Sequence, residues 1–290
     1  MMSMDAAYYI TTLEEMSPKS DKPQVASYAI IDLAIAHDFL KQLYNVMANE
    51  TVAWWSLFEG SEWQPNWSSG PILVDLRNSH SLTQQLTEDM EARPLGVLIH
   101  TSLEPTNLRD RCQKWLLGSE SSRLLRFHEP RMLGPLLCVM GDAQRHQFVP
   151  PGEQWTWHDG GVWRTHIAAV TDNAVLNEEP LSPVSEDQLR QASHYRLAAQ
   201  AQDFASYYES NLISHKDPSV WVLDRLLEAH RAGMTKVSDQ ERWLRLAIVH
   251  GDDFPEIREY REILKQEQWS ASERLTAMES IRKSDYVATA

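Results

Sequence analysis

Cysteine is scarce: Cys112 and Cys138 are the two in 290 residues. Their spacing fits neither a disulfide framework nor a zinc site. Each falls at an apolar helical position and reads as a small buried hydrophobe. Long hydrophobic runs are missing too, since no apolar stretch approaches the ~20 residues that span a bilayer. Residues 1–10 lack the charged start and apolar core of a signal peptide, so a reducing cytoplasm is the expected compartment. Basic charge is in deficit, with 27 Lys and Arg against 41 Asp and Glu, a net −14. Residues 1–170 and residues 171–290 each carry −7 of it. Phosphate neutralisation needs clustered cations, so nucleic acid and anionic membrane are excluded as main partners.

Catalytic signatures are absent as well. There is no G-x-G-x-x-G, Walker loop, G-x-S-x-G elbow or H-E-x-x-H. His128-Glu129 begins the last of these, but Pro130 and the missing second histidine end it. Asp252-Asp253 lacks the spacing and glycine of a calcium loop and reads as a solvated acidic pair at a helix start. His158 and His166 flank a hairpin and could face each other across it. No catalytic residue, metal ligand set or cofactor site is read from these patterns.

Tryptophan is plentiful, at 11. Trp54 and Trp55 are neighbours in a strand pattern, so one of them must face inward. Trp63 and Trp67 instead sit in a polar Ser/Pro/Asn loop, a setting typical of interface anchors. With Phe58 and Glu59 they are the candidate partner-binding residues.

The periodicity predicts strands at 27–34, 51–58, 72–76, 95–102 and 123–127. Helices are predicted at 38–48, 79–90, 106–117 and 131–140, the last closed by Gly141. A hairpin joins 155–158 to 162–167 through Asp159-Gly160-Gly161. Near-continuous apolar strands alternating with helices imply an α/β lobe, residues 26–170, with a covered mixed sheet plus the hairpin. Residues 1–25 read as a flexible lead and 171–184 as a linker. Residues 185–290 read as an all-helical lobe, opened by the capping box Ser185…Gln188.

One stretch is more informative than the rest: Leu124-Leu125-Arg126-Phe127-His128-Glu129-Pro130-Arg131-Met132-Leu133. It reads as a strand turning into a helix, with Pro130 in the first helical turn and Glu129 at the positive end. Arg126, Glu129 and Arg131 are expected to form an Arg–carboxylate cluster that pins this corner. The motif resembles the signature of the effector-loading adaptors of bacterial type VI secretion, a family long catalogued as of unknown function. Tyr28-Ala29-Ile30-Ile31-Asp32, Ser56-Leu57-Phe58-Glu59-Gly60, residues 70–76 and residues 96–99 fit the same pattern in the same order. His128 stands where a tyrosine would be unsurprising.

The resemblance implies a cytoplasmic adaptor-chaperone without catalysis. Its α/β lobe would recognise a cognate toxic effector, and the complex would dock on a VgrG spike, sometimes with a PAAR tip. Two other functions stay open on the residues alone. One is a hydrolase using His128, His158 and His166; the other is an immunity protein that binds a toxin directly.

Overall fold

The computed structural model describes residues 5–118, 124–168 and 183–287, without side chains beyond residue 281. The chain divides into two compact units. One spans residues 11–196; the other joins the N-terminal segment up to Ile10 to everything from Leu197 onward.

The first unit is built on one six-stranded sheet. Its strands are β1 (Tyr28–Asp32), β2 (Trp54–Ser56), β3 (Pro71–Asp75), β4 (Gly96–His100), β5 (Gln154–His158) and β6 (Trp163–Ile167). Their spatial order is β2-β3-β1-β4-β5-β6, and every neighbouring pair is antiparallel. The expected mixed sheet is therefore wrong in strand direction. Helix α2 (Phe39–Met47) joins β1 to β2 and α3 (His80–Ala92) joins β3 to β4. Both crossovers do link parallel strands. Each skips one position, though, and an antiparallel strand fills the gap, which is the split βαβ arrangement.

Apolar runs reported coverage, not direction. All five residues of β1 are buried. Tyr28 and Ile30 point into a core shared with α4 (Pro105–Leu117), α5 (Pro130–Val139) and α6 (Asp142–Phe148). Ala29 and Ile31 point to the other face, against Phe39 and Leu43 of α2 and Leu82, Leu86 and Met90 of α3. Aromatic rings dominate the first core. Phe148 lies 4.8 Å from Trp155 and 5.2 Å from both Trp115 and Phe127, ring centre to centre.

Two expectations fail here for local reasons. Residues 124–126 are irregular, because the Leu125 amide bonds the Leu116 carbonyl at the end of α4 and not a strand. Buried Leu125 and Phe127 around exposed Arg126 imitate a strand's alternation. Gly141 does not merely end α5; its N–H is accepted by the Gln144 side chain, and it opens α6.

The described part of the lead, residues 5–25, is built into the fold and is not a flexible arm. Residues Ala6–Met16 form helix α1, and Leu13 is buried. Residues 18–20 then lie along β6: Thr165 N–H donates to the Pro18 carbonyl at 3.0 Å and Ser20 N–H to the Trp163 carbonyl at 2.9 Å. Most of the expected linker, residues 171–182, lies outside the described residues. The unit boundary falls inside α7 (Glu186–Tyr207), after Arg196. Val184 belongs to the first core, and Gln188 donates to the Val139 carbonyl at 2.7 Å. The Ser185…Gln188 capping box forms as expected.

The second unit is helical among its described residues, with α8 (Pro218–Arg231), α9 (Val237–His250), α10 (Arg258–Leu264) and α11 (Ala271–Val287). Trp243, Phe254, Tyr260, Leu275 and Met278 form its core. Arg242 grips Glu279 with two hydrogen bonds, at 2.9 and 2.8 Å, fastening α9 to α11.

Candidate functional site

Strand β1 runs apolar and ends on an acid. Asp32 is 1% exposed, and a charge so buried needs partners. The next turn of the chain and a distant stretch supply them. Arg126 Nη2 donates to it at 2.8 Å, the Ala34 N–H donates at 3.0 Å, and His128 Nε2 lies 3.5 Å away. Burial alone would push this carboxyl up. The His128 contact, the Ala34 amide and the Arg126 guanidinium outweigh it and hold the carboxyl below its ordinary value of 3.8. Asp32 is therefore anionic at neutral pH. His128 is itself buried, and among the described residues its Nδ1 has no hydrogen-bond partner.

Beside this group opens a cleft of about 240 Å³, lined by Phe58, Trp63, Asn66, Ser69, Leu124 and Arg126 as well as Asp32, Ala34 and His128. One wall is the loop after β2, which closes with a 3-10 turn at Gln64–Ser69. Its base is Phe58, 4% exposed, with Trp63 tilted against it at 6.1 Å. Gly70 is needed behind it, because a Cβ there would fall 2.2 Å from the Phe58 ring. The opposite wall is the 124–128 stretch. An acid, a cation and two aromatic rings thus meet on one cleft.

The candidate partner-binding residues divide. Phe58 and Trp63 line the cleft. Glu59 stands exposed 3.5 Å from Arg109, and its carbonyl accepts from the Gln113 side chain. Trp67 does not join Trp63. It turns to the other side of the loop and stacks on Trp54 at 5.8 Å, and Trp54 meets Tyr44 edge-on at 6.4 Å.

The Arg126–Glu129–Arg131 cluster does not form. Arg126 goes to Asp32, and Arg131 Nε donates to the Asp159 carbonyl at 3.3 Å. Among the described residues the Glu129 carboxylate makes no ion pair; Glu129 precedes Pro130 at the start of α5 and accepts backbone bonds there. Residues 126 and 131 therefore serve different ends of the fold. Asp159 is a second hub, accepting from Gly161 N–H, Val162 N–H and Arg164 Nε.

His158 and His166 do not face each other. The hairpin register pairs His158 with Trp163 and His166 with Trp155, and His166 Nδ1 meets the Met16 carbonyl at 2.8 Å. Among the described residues no group of three His, Cys, Asp or Glu could hold a metal ion, and no helix is long and apolar enough to cross a membrane. Cys112 is buried and Cys138 half-buried, with both thiols pushed up to about 12 by burial.

Asp32, the centre of the site, was not among the candidate site residues. Its signal was an acid closing an otherwise apolar strand. Neither the curated proteins nor the solved structures compared with the chain give a match. Residues 27–147, from the start of β1 through almost all of α6 and including every residue that lines the cleft, match the family model described as a domain of unknown function, DUF4123.

Proposed function

We propose that this protein is an adaptor-chaperone of type VI secretion: it binds a cognate toxic effector and loads it onto a VgrG spike, with or without a PAAR tip, and acts by binding and not by catalysis. The observation that carries the reading is the cleft. It is assembled from the stretches that carry the resemblance, β1, the loop after β2 and the 124–131 motif, and they converge on Asp32. The match of residues 27–147 supports the same reading. A binding module needs a preformed, rigid pocket. Arg126 and His128 supply the rigidity by fixing Asp32, and Phe58 and Trp63 offer the apolar area. An effector segment would seat a side chain between these rings and the Asp32–Arg126 pair.

Co-expression with the products of neighbouring spike and toxin genes tests this. The toxin should co-purify at near-equal stoichiometry. Ala34 is exposed and lines the cleft, so Ala34→Trp should fill it without entering the core. The variant should keep its unfolding midpoint and capture about thirtyfold less effector. Full capture by Ala34→Trp would move the contact elsewhere. A chain that captures no neighbour product would end the adaptor reading.

A further inference from the structure

The two edges of the sheet are treated differently. The β6 edge is closed by residues 18–20 of the same chain. Among the described residues nothing pairs with the β2 edge. Asp75 N–H donates to the Ala53 carbonyl and Leu57 N–H to the Pro71 carbonyl, so the odd-numbered residues of this strand face β3. In an antiparallel ladder the alternate residues then point their backbone groups away. The amide and carbonyl of Trp54 and the amide of Ser56 thus face outward, and among the described residues no other backbone pairs with them.

An aromatic shelf flanks this edge. Trp67 stacks on Trp54 with an interplanar angle of 28°, and Tyr44 closes the row edge-on at 78°. Tyr44 is 52% exposed and Trp67 37%. The sequence that builds the shelf is short of cations. Between Lys41 and Arg77 there is no Lys, Arg or His, and of the four acids in that interval Asp75 pairs with Arg77 and Glu59 with Arg109, while Glu50 and Glu62 have no ion pair among the described residues. Cations do sit over Tyr28 and Trp221, but none of the described cations lies over these three rings.

We propose that the β2 edge receives an extended segment of a partner protein, added as a seventh strand, with Lys or Arg at alternating positions over the Trp54–Trp67–Tyr44 shelf. Backbone pairing with Trp54 and Ser56 supplies register, and cation–π contact with local acidity selects the basic side chains. The edge strand is three residues long, so the ladder is short and the side chains carry much of the affinity. A second copy of this chain is a poor occupant, because it would bring the same acidic surface to the edge. This site lies on the opposite side of the 59–70 loop from Trp63, and the inference holds whichever partner fills the cleft.

The probe is a peptide of alternating lysine and valine, about eight residues long, titrated into the full-length protein and followed by tryptophan fluorescence. Saturable binding is expected. A glutamate-for-lysine peptide and a peptide N-methylated at alternate residues should each bind about tenfold or more weakly. Trp67→Ala should lose affinity for the lysine peptide by about tenfold while keeping its unfolding midpoint. Equal binding of the N-methylated peptide would overturn strand addition, and equal binding of the glutamate peptide would overturn the choice of a basic partner. No binding at millimolar peptide would overturn the site, and so would self-association of the free protein abolished by Trp67→Ala, which assigns the edge to a second copy. Because the peptide series uses unmodified protein, the result does not depend on how any variant folds.

Discussion

Arg126 donates to Asp32 at 2.8 Å across 94 residues of sequence, and the two ends of that bond are unlike. The arginine side chain is 51% exposed and the aspartate 2%. Removing Arg126 leaves Asp32 with the Ala34 amide and His128, and solvent takes part of the lost role. Arg126→Ala should therefore cost about 1 kcal/mol. Asp32→Ala strands His128 and an amide in a buried setting and should cost about 3 kcal/mol. Urea unfolding of both variants checks the ranking; equal costs would mean the carboxylate is held mainly by the arginine.

Acid should unfold the protein in two stages. Burial lowers His158 and His166 below their ordinary 6.5, outweighing Asp159 and Glu91 at the first and the Met16 carbonyl at the second. A histidine kept neutral in the fold costs stability once the unfolded chain takes up its proton, so loss begins below about pH 6.5. At Asp159, as at Asp32, burial is outweighed, here by Val162 N–H, Arg164 and Gly161 N–H, and the carboxyl falls below 3.8. These aspartates stabilise the fold above that value, and their contribution disappears as pH falls through their lower folded-state values. Midpoints measured from about pH 8 to pH 3 should show both declines. A midpoint level across that range would contradict the assignment.

Two glycines separate scaffold from site. A Cβ at Gly96 would lie 1.9 Å from the Ile30 carbonyl oxygen, and backbone in a central strand cannot yield. Gly96→Ala should cost about 3 kcal/mol or more, read as insolubility or a large drop in Tm. At Gly70 the obstacle is the Phe58 side chain at 2.2 Å. Gly70→Ala should fold, displace Phe58 and weaken effector capture.

The α/β unit should be separable, but not at residue 184. A fragment of residues 11–196 keeps Val184 in its core and the Gln188 bond to Val139. A fragment of residues 11–184 loses the latter. The shorter piece should melt lower and be proteolysed faster, by circular dichroism and limited trypsin digestion. Equal melting of the two would place the first turns of α7 outside the fold.

Both thiols should be silent toward a disulfide reagent at about pH 8 in the folded protein and react fully in urea, since burial holds them up at about 12. A stoichiometrically reactive cysteine in the native state would show that one of the two pockets opens readily.

Local signals were legible wherever a backbone choice was made by its neighbours. The hairpin turns at Asp159 and Ser185 opens α7, both readable from residue type and spacing. Strand direction was not legible. Burial on both faces gives β1 the same apolar run whether its neighbours run up or down. The site was half legible. Phe58, Trp63 and Arg126 stood out by type, but their meeting point, Asp32, depends on a contact 94 residues long that no local pattern encodes. The acid nearest in sequence, Glu129, was the wrong partner for that reason.

The strap of residues 18–20 along β6 has a consequence for synthesis. Its partner strand is made some 145 residues after it, judging by the Ser17–Arg164 contact at a separation of 147. While the ribosome is still adding those residues, β1 to β4 can pair among themselves, but the outer rim of β4 has no neighbour until β5 emerges. The nascent chain therefore passes through a stage with both rims bare, and the strap, made before any of the six strands, is among the last pieces to find its place.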